Sequence, residues 1–524
     1  AVLLLTGLDK IEVNIMEARN FVSAREMVQN QEYLLTTLNN EPRYEKPPLP
    51  TWLTAISGET LGFDSLFAMR LPVVLITILL VFTFYFFSGK LELDSRHALQ
   101  NGLILITSFY VFFSGRDNQW DMYTNSFMMV GILFLWKAFQ ENSNQWQNTL
   151  LSGLFLGFSI LSKGPVAFYA LFFPFLMSYG IVYRIPRQKW IYLAGMLVSG
   201  LIIGASWYVY VRLKDPVSFQ NIASRETANW SSYEVKPFYY YWSFFLQSGL
   251  WAIPSLVALF YPYLNTRVSN PKAYRFAFMW TLFALVFLSA IPEKKVRYLV
   301  PVLIPLALIT GFYIEYLIRN FKRNLTKWEK IPAYFSSGLI VLIGFAYPFV
   351  LIFMLKEKLY SHLWVGIFSS VLMVGCALFI VKGLLHKDFS TIFYSMIALF
   401  AAVVIGLTPL YKEVVNNPNY ASASYALRFE KEYQIKTYSL SAVAPEIVWD
   451  FGKPIPILEQ TGDQISFPEE KRFGLMVDMK DSSIVKVLSI QFKIRKLYRI
   501  NQHYKKSMKD RLVKDYYLFT KNLD

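Results

Sequence analysis

Two carboxylates and a set of cations stand out for what they could do together. The carboxylates are Glu17 and Asp121. The cations are Lys46, which follows Glu45; Lys163, in the run Lys163-Gly164-Pro165; and Lys294, Lys295 and Arg297, which precede Tyr298. Glu226 is a further acid in a later polar stretch. A carboxylate can orient an attacking hydroxyl or phosphate, or take its proton. Lysine, arginine and a phenol together can stabilise negative charge growing on a departing oxyanion. Each residue also has a plainer use. Lys46 can pair with Glu45 on the surface, and Lys163 can end a helix. Asp121 can serve as a helix-dipole partner, with Asp117 competing for that place. Lys294, Lys295 and Arg297 can reach to lipid headgroups.

The elements that must hold these residues are helices in a membrane. Hydrophobic residues make up 54% of the 524-residue chain and charged residues only 17%, below the quarter or so usual in soluble domains. A mean hydropathy of +0.34 over this length excludes an ordinary soluble enzyme and a disordered chain. The single cysteine, Cys376, excludes an internal disulfide and a cysteine-rich metal site. Runs long enough to span, or nearly so, lie at 66–88, 98–114, 123–139, 148–162, 164–184, 190–212, 242–262, 274–290, 298–318, 332–355, 361–382 and 391–411. The apolar Ala1–Leu8 reads as the end of a truncated first helix, which makes about thirteen spans.

Charge then orients them. The net charge is +16. With the truncated helix counted first, loops after even-numbered helices carry Lys90 and Arg96; Arg184, Arg187 and Lys189; Arg267, Lys272 and Arg275; Arg319, Lys322, Arg323, Lys327 and Lys330; and Lys382 and Lys387. That excess assigns them to the cytoplasm. The stretches 9–65 and 213–241 and everything after 411 then face outward. So do Lys294, Lys295 and Arg297, which therefore run against the charge rule; intramembrane or misplaced charge of this kind points to function.

Within 9–65 the spacing predicts a helix at Glu17–Asn30 and another opened by Pro47-Pro48, both amphipathic and lying in the interface plane. Residues 412–524 form a separate small soluble α/β domain after a membrane domain at 1–411. Its expected elements are a helix at Asn419–Tyr433 and strands at Lys436–Leu440, Ile455–Glu459, Gly474–Asp478 and Asp515–Thr520. The basic stretch Lys493–Lys514 is either a solvated face or a contact for anionic headgroups.

Several motifs in order resemble one family. They are Glu17-Ala18-Arg19; Ala24-Arg25-Glu26-Met27; Asn40-Glu41-Pro42-Arg43-Tyr44-Glu45-Lys46-Pro47-Pro48-Leu49; Trp120-Asp121-Met122; the Leu161-Ser162-Lys163-Gly164-Pro165 run; Ser206-Trp207-Tyr208 with Glu226 and Lys236-Pro237-Phe238-Tyr239-Tyr240; and Pro292-Glu293-Lys294-Lys295-Val296-Arg297-Tyr298-Leu299-Val300-Pro301. Together they are similar to the bacterial aminoarabinose transferases of lipid A, relatives of the protein O-mannosyltransferases. The resemblance covers residues 1 to about 318, and its motifs all fall on the outward side. It implies the GT-C fold: an α-helical polytopic membrane protein with outer helices and an outer soluble domain. It also implies transfer of a sugar from a polyprenyl (undecaprenyl) phosphate carrier to a lipid, glycan or protein acceptor at the outer face of the bacterial inner membrane. Membrane lipids are then partners and nucleic acid is not. In that reading Lys46, Lys163, Lys294, Lys295, Arg297, Tyr298, Glu45 and Glu226 bind substrate, and Asp121 or Glu17 is the catalytic acid group.

Two departures matter. Met16 stands where the family usually has an aspartate, so Glu17 takes the role, Asp121 does, or the acceptor arrives ionised. Thr227 follows Glu226 where the aminoarabinose transferases have a histidine that helps hold a metal. Loss of the imidazole speaks against zinc and for a reaction without cofactor. The competing class is a transporter or lipid flippase, which should show paired halves and charges at mid-membrane. Those charges are nearly absent.

Overall fold

The computed structural model describes residues 2–323, 325–415, 417–461, 464–504 and 509–522. The chain forms two compact units. One comprises Ala1–Leu8, Tyr44–Leu53 and Leu66–Leu410; the other comprises Asp9–Arg43, Thr54–Ser65 and Tyr411–Asp524. Most of the first outer stretch therefore groups with the C-terminal segment, where the sequence had placed it with the membrane part.

The first unit is helical. Among the described residues, seven helices are long and apolar enough to cross a membrane: Leu66–Lys90, Arg187–Lys214, Pro271–Ala290, Val296–Asn320, Lys327–Leu355, Tyr360–Leu385 and Phe389–Leu407. This is a multi-pass membrane protein. The seven do not by themselves make the thirteen expected spans. At other expected positions stand the helices Trp120–Gln140 and Gln145–Lys163 and the shorter apolar stretch Phe168–Val182. Two expected spans are broken. The run 98–114 becomes Ser95–Thr107 and Phe109–Ser114, interrupted by extended backbone at Ser108. The run 242–262 becomes a 3-10 segment at Phe244–Trp251 and short helices at Ala252–Ala258 and Tyr261–Leu264. The break has a cause in the sequence. Gly249 takes φ +58, and a Cβ there would meet the Phe109 ring at 2.6 Å, so only glycine fits.

Val296–Asn320 lies at the centre of this unit, 89% buried, while Lys327–Leu355 is 22% buried and turns most of its apolar surface outward. A cluster of Phe87, Trp136, Phe175, Phe276 and Trp280 fills the space between helices. Where apolar packing cannot satisfy a polar atom, a hydrogen bond does. The Trp280 indole donates to the Leu171 carbonyl at 3.0 Å. The Glu329 carboxylate accepts from the Tyr263 and Tyr316 hydroxyls and from Arg267.

In the second unit the helix Ile15–Asn30 starts in a capping box, with Asn14 as cap and Glu17 as the reciprocal acid. Apart from the half-buried Arg19, every residue from Glu17 to Met27 is buried. The helix is thus enclosed by protein on nearly all sides, where the sequence pattern predicts one apolar face. Strands Thr37–Leu38 and Glu41–Pro42 pair through a turn whose Asn39 and Asn40 both take positive φ, the two-residue hairpin geometry asparagine favours. Glu26 holds that turn: its carboxylate accepts from the Thr37 hydroxyl and the Asn39 and Asn40 amides. Burial pushes this carboxyl above its ordinary pKa, against those hydrogen bonds. Arg25 and Glu26, conspicuous in the motifs, are therefore structural.

The C-terminal sheet runs in the order Thr437–Ser439, Arg472–Asp478, Val513–Lys521, Phe492–Asn501. The first pair is parallel and the others antiparallel. Three expected strands are present. The fourth, expected at 455–459, is reduced to one bridge from Ile457 to Ser439. The sheet's fourth strand is instead Phe492–Asn501, at the opposite edge and hidden in the sequence by its many cations. The expected helix from Asn419 begins at Ala426, after a 3-10 turn at Ala423–Tyr425. Lys514 is fully buried and pairs with Asp478 at 3.0 Å.

Candidate active site

Two antiparallel helices set the geometry. Trp120–Gln140 and Gln145–Lys163 are joined by four residues, so their far ends must meet. Ser152 donates to the Gly131 carbonyl and Ser159 to the Thr124 carbonyl, each at 2.7 Å. The same register carried to the end of the pair brings Asp121, in the first turn, against Lys163, in the last. The two side chains form an ion pair with 4% and 6% of their surfaces exposed. Gly157 lets the second helix approach Arg187–Lys214, since a Cβ there would sit 2.6 Å from Ile203. Gly164, at φ +73, ends the helix and frees the lysine from it.

The loop 291–299 adds to this end. The Lys163 ammonium lies 4.5 Å from the centre of the Tyr298 ring and the Arg297 guanidinium 5.6 Å from the same ring. The Tyr298 hydroxyl donates to Glu293 at 3.0 Å, and Lys295 pairs with the same carboxylate. Asp121, Lys163, Arg297 and Tyr298 are thus brought together. Among the described residues, one Asp121 carboxylate oxygen and the Arg297 Nε are buried without a hydrogen-bond partner, and no carboxylate lies within ion-pairing distance of Arg297.

Lys294 is placed differently. Its ammonium donates to the backbone carbonyls of Ile291 and Lys236, and the residue is 3% exposed. It braces the loop against 234–236, where amides and carbonyls pair across from 292 to 294. Tyr241 is buried and holds the Lys295 backbone through its hydroxyl. Tyr239 and Trp242 are exposed, as a belt requires.

The segment Tyr44-Glu45-Lys46 is tied to the helix Pro216–Ser232 and its cap. Tyr44 donates to Asp215 at 3.0 Å, Lys46 pairs with Glu226 at 3.3 Å, and Arg225 pairs with Glu45 at 2.5 Å. Arg225 is the residue sequence reasoning missed. The signal was there: Glu45-Lys46 and Arg225-Glu226 are two dipeptides with the charge order reversed. These residues do not fit a metal. Both carboxylates are occupied by cations, and the Thr227 hydroxyl donates into its own helix at the Ala223 carbonyl. Among the described residues, no three His, Cys, Asp or Glu side chains cluster as metal ligands do. Glu17 belongs to the other compact unit, in the capping box already described.

Comparison with known proteins follows the geometry. The family pattern of the dolichyl-phosphate-mannose-protein mannosyltransferases matches residues 45–210, the stretch that holds Lys46, Asp121 and Lys163. An undecaprenyl phosphate-alpha-4-amino-4-deoxy-L-arabinose arabinosyl transferase of Photorhabdus laumondii is 24% identical over 75% of this chain and 70% of its own. A transferase of the same name from Pseudomonas fluorescens is 24% identical over 84% of this chain and 80% of its own. In structure the chain is similar to ArnT of Cupriavidus metallidurans in its complex with undecaprenyl phosphate. The TM-score is 0.71 at 17% identity, over 99% of this chain and 96% of that one, which establishes the shared fold. The chain thus shares the fold of that membrane transferase and is similar in sequence to the aminoarabinose transferases and, over residues 45–210, to the protein mannosyltransferases.

Proposed function

We propose that the protein transfers a sugar from a polyprenyl phosphate carrier to an acceptor at the outer face of the bacterial cytoplasmic membrane. The observation that carries this is the buried Asp121–Lys163 pair standing beside Arg297, which among the described residues has no carboxylate within ion-pairing distance. In the reaction the bond between the sugar's anomeric carbon and the carrier phosphate breaks, and the electron pair leaves with the phosphate. That leaving group departs as a stable anion and needs no general acid. It needs cations, and Arg297 and Lys46 supply them, with the Tyr298 hydroxyl beside them. The acceptor oxygen forms the new bond. Asp121 orients it and takes its proton if it has one, while Lys163 holds the carboxylate in place through the ion pair. The acceptor is a lipid, a glycan or a protein; the sugar carried by the relatives' donors is aminoarabinose by name. The matched proteins give no support to a transporter or flippase. The test is consumption of a polyprenyl-phosphate sugar by the purified protein in nanodiscs, with no gradient present. Mass spectrometry of lipid A, surface glycans and secreted proteins from a deletion strain identifies the acceptor.

The residue assignments lead to a binding test. Lys46→Ala and Arg297→Ala should each weaken polyprenyl phosphate binding by about tenfold or more, the loss of one charge-assisted contact. Lys294→Ala should instead lower thermal stability, because its ammonium holds carbonyls. Full carrier affinity in both of the first two variants would remove the clamp assignment.

We also propose that transfer requires no divalent metal. Glu45 and Glu226 are already neutralised by Arg225 and Lys46, so the ion pairs do the charge balancing an ion would do. Activity should survive EDTA nearly unchanged. Complete loss, restored by zinc, would mean that ligands beyond these residues assemble in the working enzyme.

A further inference from the structure

The transfer chemistry leaves Glu293 and Lys295 without a part, yet both stand beside residues it uses. The Tyr298 hydroxyl, at 3.0 Å, and the Lys295 ammonium donate to the same Glu293 oxygen, Oε1. The backbone around them is fixed. Residues 292–294 pair with 234–236: the Lys236 amide donates to the Pro292 carbonyl at 3.2 Å, and the Lys294 amide to the Glu234 carbonyl at 3.1 Å. The Tyr241 hydroxyl accepts from the Lys295 amide and donates to the Lys295 carbonyl. The side chains are less enclosed. Glu293 and Lys295 keep 14% and 22% of their side-chain surface exposed, against 4% and 6% for Asp121 and Lys163. A pair in contact with water can trade partners with a ligand; a sealed pair cannot do so cheaply. Glu293 thus occupies an ammonium and a phenol, the two donors that also suit a phosphate oxygen.

On the footing of the transfer reaction proposed above, we infer that Glu293 is a positioning residue that holds the place of the carrier phosphate and helps the spent carrier leave. The sugar-linked carrier is a phosphodiester with a single negative charge. The spent carrier is a phosphate monoester, with a charge of about −1.5 to −2 at pH 7. Cations alone therefore hold the product more tightly than the donor, and slow release limits turnover. Glu293 opposes that bias. When a phosphate takes Lys295 and the Tyr298 hydroxyl, the carboxylate loses both partners and faces the phosphate as a like charge. The repulsion is greater against the monoester than against the diester. Departure of the product lets the carboxylate take both donors back.

The test uses the full chain in nanodiscs. Glu293→Gln keeps the shape and an acceptor for the Tyr298 hydroxyl but removes the charge. Its Kd for polyprenyl phosphate should fall about tenfold, with a smaller change in KM for the donor. The first turnover should run near the parental rate and later turnovers more slowly, as release becomes limiting. Glu293→Asp, which keeps the charge, should bind polyprenyl phosphate about as the parental protein does. A glutamate that only braces the loop gives the opposite sign: weaker binding and a lower Tm in Glu293→Gln. Unchanged or weaker binding in that variant overturns the inference and leaves the transfer reaction standing. The parental protein supplies a second measurement that needs no variant to fold. It should bind the monoester only a few times more tightly than a methyl phosphodiester of the same lipid, and a preference of about a hundredfold overturns the inference. A parental protein that binds no polyprenyl phosphate overturns both this inference and the transfer reaction.

Discussion

Asp121→Asn should lower turnover by about 10²–10⁴-fold, the usual worth of general-base help, and leave carrier binding nearly unchanged. The expectation rests on position. Asp121 is buried in the first turn of its helix, one oxygen is engaged by Lys163, and the other has no partner among the described residues. That second oxygen is the one a nucleophile can use. Glu17→Gln should behave differently. Its carboxylate completes the capping box of Ile15–Asn30, a role the glutamine oxygen can also fill, so the change should cost little stability and much less turnover. If Glu17→Gln is dead while Asp121→Asn turns over at the parental rate, the two roles are exchanged. If both keep full rate, the acceptor arrives ionised and no carboxylate base operates.

Lys163→Met should be the most damaging single change to the fold of this site. It leaves the Asp121 carboxylate buried and unpaired, which costs about 3–5 kcal/mol when a buried pair is broken from one side. Adding Asp121→Asn should restore most of that stability, because an amide needs no counter-charge, yet the double variant should remain inactive. Thermal unfolding in detergent and turnover in nanodiscs, measured on all four members of the cycle, separate the two effects. A double variant as unstable as Lys163→Met would show that the ion pair is not what the lysine contributes. A Lys163→Met protein with the parental rate would remove the pair from the mechanism.

The helical, multi-pass character was legible because hydropathy over twenty residues is a strong signal, and membrane helices satisfy their own backbone. The two broken spans were not. Ser108 looks unremarkable in an apolar run, and Gly249 reads as any small residue until the Phe109 ring above it is known. The strand Phe492–Asn501 was hidden for the opposite reason: Lys and Arg stand among Phe492, Ile494 and Ile500, and an irregularity between Lys496 and Tyr498 shifts Ile500 to the other face. In the site, Asp121 and Lys163 were each visible, but their contact was not. It follows from a helix hairpin whose register depends on Gly131 and Ser152. Lys294 was misjudged for a physical reason. Sequence gives the charge of an ammonium but not whether backbone carbonyls already surround it.

The Asn39 side chain has a consequence for how the protein is made. Its amide both donates to and accepts from the backbone of Ile455, 416 residues further along the chain. Nearby, Phe21 packs on Trp449 at 5.1 Å between ring centres, and Arg25 donates to the carbonyls of Val448 and Trp449. At about 5–20 residues per second, the ribosome needs roughly 20–80 s to travel from one partner to the other. Throughout that interval the segment holding Phe21, Val22 and Ala24 lacks the partners it closes against in the folded unit. Membrane insertion and completion of this unit are therefore separated in time. A chain cut short after the helix Phe389–Leu407 would leave the early segment permanently without Val448, Trp449 and Ile455, the residues that close it.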